Sequence, residues 1–238
     1  MELPLLTRGR ILKRYQRFLA DVALDDGRRV TAHCPNTGAM TSCWRPGAPA
    51  ELSHSDNPSR KLPWTLERID MGRGWVGVNT ARVNQVIAEG IGEERIPALA
   101  GYRNLRREPR VDWPPHAGSR LDLHLSDGPS PADTYVEVKN TTLLVGDSIQ
   151  FPDAVTARGR KHLVLLADIV KRRHRGVILF AVNRCEGRVF EPAGSIDPDY
   201  AQTLERVVEQ GVEVVVVRLR HTATGIEVGG SVSYRHGL

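Results

Sequence analysis

Residues 119–140 read SRLDLHLSDGPSPADTYVEVKN, two apolar-rich runs separated by the turn chemistry of Asp127–Asp133 (DGPSPAD). The runs predict strands over 120–126 and 134–140, joined as a hairpin. In a strand, residues two apart share a face, so Glu137 and Lys139 point together while Val136 and Val138 point the other way. Folding the hairpin carries Asp122 across from that pair. Two carboxylates and an ammonium then converge beside a bulky apolar layer. Mg²⁺ or Mn²⁺ suits such a group: these ions need few protein carboxylates and complete their shell with water and phosphate oxygens. A cation held by Asp122 and Glu137 polarises a phosphoryl oxygen, and Lys139 offsets the charge that develops. The bland alternative is a solvated sheet face with a cross-strand ion pair, and the spacing alone leaves both open.

Downstream, the pattern alternates between helix and buried strand. A helix is predicted over 152–173, with Pro152 at its first turn, where its missing N–H costs nothing. Gly176–Val182 (GVILFAV) is an almost continuous apolar run suited to a strand covered on both faces. A helix over 198–210 and a buried strand over 212–219 follow. Upstream, Val83, Val86, Ile87 and Ile91 keep helical spacing, with Asn79 or Thr80 placed to cap, and a short strand is expected over 108–112. This order is that of an α/β domain. Within the long helix, Arg158 and His162 stand four apart and share a face, placed to meet a phosphate near the helix start; a capped surface helix with a basic flank explains them equally well.

Residues 5–79 carry another signature: five or six short strands in about 75 residues, bounded by Gly, Pro and Asp-Asn turns, with no long helical pattern. A small barrel of the OB type fits. The expected division is a barrel domain over 1–80 and an α/β domain over 81–238. Arg14, Tyr15 and Arg17 lie in a basic stretch with an aromatic, the combination that tracks a phosphate backbone and stacks on a base. Phe18 is expected in the core.

Charge supports a polyanionic partner for the first part. Residues 1–110 carry 18 basic and 12 acidic groups, whereas 111–238 carry 15 and 16. Three cysteines without framework spacing fit a reducing cytoplasm. His33, Cys34 and Cys43 lack the paired spacing of a zinc site, and no apolar run is long enough to span a bilayer.

Longer strings carry a resemblance. Residues 14–22 (RYQRFLADV), His33–Met40 (HCPNTGAM), Ser55-Asp56-Asn57, Val78-Asn79-Thr80, Ser119–Asp122, Tyr135–Lys139 and residues 151–163 (FPDAVTARGRKHL) together resemble the sugar fermentation stimulation protein family over nearly the whole chain. The resemblance implies an N-terminal OB-fold and a second domain with a PD-(D/E)xK nuclease-like core. It also implies DNA binding largely without sequence preference, and a part in regulating sugar (maltose) metabolism. By position, Asp122 and Glu137 match the motif acids, Lys139 the motif lysine, and Glu89 a further acid used by some members. Leu121 stands where the motif name has proline. Sequence-independent DNA binding is thus the leading expectation. A metal-dependent nuclease and an RNA-binding protein are the alternatives, and no membrane partner is expected.

Overall fold

Strand β1 (Leu6–Tyr15) turns straight back into β2 (Leu19–Leu24), because Gln16 and Arg17 both take left-handed dihedrals, φ 48° and 65°, and close a tight hairpin. The computed structural model describes residues 1–235. Gly27, with φ 89°, makes the next turn into β3 (Arg29–His33). β4 (Pro49–His54), β5 (Trp64–Asp70) and β6 (Trp75–Gly77) complete a sheet ordered β3-β2-β1-β4-β5-β6. β3 returns to pair with β5 at His33 and Thr65, so five strands close a barrel and β6 extends it. Inward alternation fills the barrel with Ile11, Val22, Leu52, Leu66 and Ile69. Phe18 is not among them. It sits in the hairpin turn at 46% exposure, because the turn takes up residues 16–18 and the second strand begins only at Leu19.

The barrel passes into the second domain through a buried acid. Glu67 accepts from Ser53 Oγ (2.7 Å), Asn79 Nδ2 (2.8 Å) and Arg82 Nη2 (2.8 Å). Asn79 also caps a short 3-10 turn with its Oδ1. That turn runs into α1 (Val83–Gly92), which is followed by β7 (Asn104–Arg107), β8 (Leu123–Ser126) and β9 (Thr134–Thr141). Next come β10 (Leu143–Val145), β11 (Ser148–Phe151), α2 (Ala157–Lys171), β12 (Arg175–Val182) and β13 (Val189–Pro192). The last elements are α3 (Pro198–Glu209), β14 (Glu213–His221), β15 (Ile226–Ser231) and β16 (Ser233–Tyr234).

A six-stranded sheet, β15-β14-β12-β9-β8-β7, forms the centre, with β12 parallel to both β9 and β14. Val136, Val138, Val177 and Leu179 meet α1 on one face; Ile178, Phe180 and Val182 meet α2 and α3 on the other. Burial on both faces explains the unbroken apolar run of β12. A small sheet, β10-β11-β13-β16, lies beside it. Two expected elements are displaced. The short strand lies at 104–107 rather than 108–112, because Glu108 takes a left-handed φ of 50°. The long helix begins at Ala157, not at Pro152; Thr156 caps it through Gly159 N–H (3.0 Å). The preceding Asp153 instead reaches the barrel, accepting from Met40 N–H at 3.1 Å.

Other contacts clasp the two domains. Arg68, 2% exposed, donates from Nε to Glu51 Oε2 (2.6 Å) and from Nη1 to Thr222 O (2.7 Å). Arg184 donates to Thr142 O (2.7 Å) and to Ser42 Oγ (3.1 Å).

Candidate functional site

The antiparallel register of β8 on β9 pairs Leu123 with Val136, so one residue further along stand Asp122 and Glu137. Leu123 and Val136 bury themselves in the α1-side core. Glu137, the next residue of β9, therefore faces α2, while Asp122, at the bend just before β8, comes beside it from the α1 side. Asp122 accepts from Val138 N–H and from Asn84 Nδ2, both at 2.7 Å. Glu137 is 3% exposed. Its Oε1 is engaged by both Lys139 Nζ and His162 Nδ1, while Oε2 is buried without a hydrogen-bond partner. Lys139 Nζ also lies 3.4 Å from His162 Nδ1.

This geometry drives the two carboxyls apart in acidity. Burial pushes Asp122 up, the negative charge of Glu137 adds to the rise, and the Val138 N–H only partly counters it. Burial opposes ionisation of Glu137 too. There, however, the His162 hydrogen bond and the Lys139 charge prevail and hold the carboxyl below its ordinary value. The Lys139 charge and the His162 hydrogen bond thus fall on one oxygen of the glutamate. The other oxygen and the Asp122 carboxylate are the groups here that could hold a cation. Among the described residues no group of three or more His, Cys, Asp and Glu is placed to hold a metal. Two carboxylates are what this site offers, which matches ions that draw most of their shell from water and phosphate.

The structure brings Asp122, Glu137 and Lys139 together and adds His162, which the sequence pattern aims at a phosphate and which here engages the Glu137 carboxylate. Arg158 lies one turn before His162 on α2, exposed and without a hydrogen bond or ion pair among the described residues. Glu89 is not brought in. It pairs with the Met1 ammonium (2.6 Å) and accepts from Gln85 (2.9 Å); the α1 residue that meets Asp122 is Asn84, about 140° around the helix from Glu89. Nothing in the sequence pattern singles out Asn84, a polar residue in the first turn of an amphipathic helix.

In the barrel, Arg14 is used structurally. Its guanidinium donates to Arg17 O (2.6 Å), Gly38 O (2.8 Å) and Asn36 O (2.9 Å), tying the hairpin to the 36–39 loop. Tyr15 OH donates to Asp21 (3.1 Å) beneath the Lys13 ammonium. Arg17 remains exposed, and its side chain makes no hydrogen bond among the described residues. Cys34 and Cys43 are buried in the barrel core.

A cleft of about 300 Å³ opens between the domains, lined by polar residues such as Arg17, Asn36, Thr37, Asn140 and Asp153 and by apolar ones such as Phe151 and Val155. It lies at the carboxyl end of β9, one residue beyond Lys139. The PNTG loop and the FPDAVT segment, far apart in the chain, form its opposite walls. They touch so closely that a side chain at Gly38 would strike the Asp153 carboxylate.

Comparison with known proteins decides the family. Residues 12–78 match the SfsA N-terminal OB domain, and residues 81–225 match the sugar fermentation stimulation protein RE domain. The chain belongs to the sugar fermentation stimulation protein family. It is 50% identical over 238 residues to a sugar fermentation stimulation protein homolog of Magnetococcus marinus, covering 100% of both chains. A homolog from Geobacter sulfurreducens is 46% identical over 213 residues, covering 90% of this chain and 89% of the relative. A solved SfsA structure from Pyrococcus furiosus, described as in complex with Ca²⁺, superposes with a TM-score of 0.86 at 26% identity. It covers 99% of this chain and 98% of that one. The family's OB barrel and following α/β domain are the architecture seen here.

Proposed function

We propose that this protein binds nucleic acid and hydrolyses its phosphodiester bonds at a divalent-cation site of the PD-(D/E)xK nuclease type, formed by Asp122, Glu137 and Lys139. The observation that carries the proposal is the buried, unpartnered Oε2 of Glu137 opposite Asp122. A buried acceptor left unsatisfied is costly, and a cation between the carboxylates removes both that cost and their repulsion. Asp122 and Glu137 would hold Mg²⁺ or Mn²⁺. The Ca²⁺ in the description of the Pyrococcus relative supports an ion of this charge and hardness.

When bound, such an ion supplies Lewis-acid polarisation of a phosphoryl oxygen and acidifies a water. The chain's own groups do the rest. His162 fixes the Glu137 carboxylate through Oε1, and Val138 N–H with Asn84 fixes that of Asp122. Lys139 holds a positive charge where the phosphoryl group becomes more negative. Arg158, exposed one turn before His162 on α2, would steady a neighbouring phosphate. The basic first half supplies the sequence-independent grip expected of a cytoplasmic DNA-binding protein.

The test starts from metal-free protein incubated with single-stranded, duplex and branched DNA, followed by addition of Mg²⁺ or Mn²⁺. Ion-dependent cleavage, lost in Glu137→Gln, is the expected result. Binding that persists with no cleavage by either ion would favour a second reading: the protein grips DNA only to regulate sugar (maltose) metabolism. The naming of its relatives for sugar fermentation supports that reading.

A further inference from the structure

We infer that the cleft between the domains is a subsite for one unstacked nucleotide, so that the nucleic acid taken by this protein is single-stranded where it meets the α/β domain. The inference rests on the proposed nucleic-acid function and names its substrate class. Three observations carry it.

The first is place. The cleft opens at the carboxyl end of β9, immediately past Lys139, and ligands of open α/β sheets collect at the carboxyl ends of parallel strands. A nucleotide held there continues a strand whose next phosphate lies over Asp122 and Glu137.

The second is size and chemistry. About 300 Å³ is at the lower end for small-ligand sites, enough for one nucleotide and too little for stacked base pairs. Phe151 and Val155 give it apolar surface for the face of a base, and the amide nitrogens of Asn36 and Asn140 with the Thr37 hydroxyl suit a base edge or sugar, the amide oxygens being held by Gly38 N–H and Asn183. Positive charge lies outside, on Arg17 at the rim and Arg158 on α2. Phosphates are thereby directed to the rim and the base to the interior.

The third is the hairpin turn of the barrel. Gln16 and Arg17 hold left-handed backbone dihedrals that side chains rarely adopt, and Arg14 locks the turn through the Arg17 carbonyl. The turn presents Phe18 to solvent, 46% exposed, beside Arg17. An exposed aromatic next to an arginine is a stacking platform for a base leaving the cleft, and stacking requires that the base be free of its complement.

Fluorescence anisotropy in metal-free buffer with chelator tests this on the full chain, using labelled oligothymidylate, oligouridylate and a blunt duplex. The two single strands should bind about tenfold more tightly than the duplex, by the stacking they alone can make. Thr37→Trp, a bulky side chain at an exposed position of the cleft wall, should reduce single-strand affinity about tenfold and leave duplex affinity unchanged. Phe18→Ala should act the same way without filling the cleft. Thermal melts confirm that each variant is folded. A difference between the thymidylate and uridylate affinities tells DNA from RNA and leaves the strand preference intact. Duplex affinity equal to or above that of both single strands, or indifference of folded Thr37→Trp, overturns the inference. Because no ion is present, neither result depends on whether the protein cleaves.

Discussion

His162 Nδ1 and Lys139 Nζ crowd onto one oxygen of Glu137 and leave its other oxygen buried with no partner. A glutamate needed only for structure would have both oxygens satisfied, as Glu67 does between Ser53, Asn79 and Arg82. The contrast between these two buried acids, one saturated and one half-served, separates a structural carboxylate from one kept available. It also fixes what should happen when the charges around Glu137 are altered.

Removing the Asp122 charge is the first such change. Asp122→Asn should abolish Mn²⁺ binding measured by calorimetric titration. Its effect on metal-free stability should be small: burial and the Glu137 charge hold Asp122 above its ordinary value, so its negative charge costs the fold stability, and neutralising it relieves the repulsion with Glu137. Against this, the amide keeps one oxygen for two donors, Val138 N–H and Asn84 Nδ2. The two effects should leave the thermal midpoint within a few degrees of wild type. A large fall in the midpoint would make Asp122 a structural residue.

Lys139→Ala should behave differently. The ammonium touches Glu137 through Oε1, not through the oxygen left for a cation, so Mn²⁺ affinity should change by less than about threefold. Cleavage, where the wild type shows it, should fall by about 10²–10³, the loss typical of one group that stabilises transition-state charge. Equal losses of metal binding and cleavage would place Lys139 in the cation's support instead.

The hairpin, the facing of Glu137 with Lys139, and the barrel were legible because each depends on local periodicity and turn chemistry. Period-2 alternation decides which side chains of β9 face α2, and Asp127–Asp133 decides that β8 folds onto it. What was missed lies outside local periodicity and turn composition, in long-range contacts and in one unusual turn. Nothing near Arg14 in sequence shows that it clamps the 36–39 loop, and Phe18 looks like core until two left-handed residues move it into a turn. Pro152 is a fair helix starter by local rules, yet Asp153 is drawn to the barrel and the helix waits for Thr156. The cleft was invisible for the same reason, since its walls are more than 100 residues apart.

The two arginines of the basic stretch should part company. Arg14→Ala removes hydrogen bonds to the carbonyls of Arg17, Asn36 and Gly38, and should cost about 2–3 kcal/mol of stability in urea melts. Arg17→Ala should leave stability unchanged, weaken binding to unrelated nucleic-acid sequences about equally, and lower the salt slope of log K by about one. A binding defect in Arg14→Ala without loss of stability would reverse these assignments.

Arg68 ties the barrel to the second domain, and its removal should show how strongly. Arg68→Ala leaves Glu51 buried with only the exposed Arg8 nearby, and unbinds the Thr222 carbonyl. Breaking one side of a buried pair costs about 3–5 kcal/mol. The expected loss is of that size, with both domains melting earlier in a single transition. If only the barrel is destabilised, the clasp does not couple the domains, and residues 1–80 should then fold by themselves.

His221 gives the pH dependence. It feels the Arg68 charge, with Nε2 2.7 Å from Asn183 Oδ1 and Nδ1 buried without a partner. Burial, and then the Arg68 charge, push it down to about 3 from an ordinary value of 6.5. A histidine that stays neutral in the folded state but takes up a proton when unfolded makes acid unfavourable to folding. Its penalty is absent above about pH 7, begins as pH falls through the unfolded value near 6.5, and grows until the folded value near 3 is reached. Between pH 7 and pH 5 it should amount to about 2 kcal/mol. His221→Gln keeps a hydrogen-bonding group toward Asn183 and cannot be protonated, so that part of the acid sensitivity should disappear. Urea melts of both proteins at pH 7 and pH 5 make the comparison: the variant should lose less stability than the wild type over this interval. Parallel losses would mean that the acid sensitivity comes from the depressed carboxylates, Glu137 among them, and not from His221.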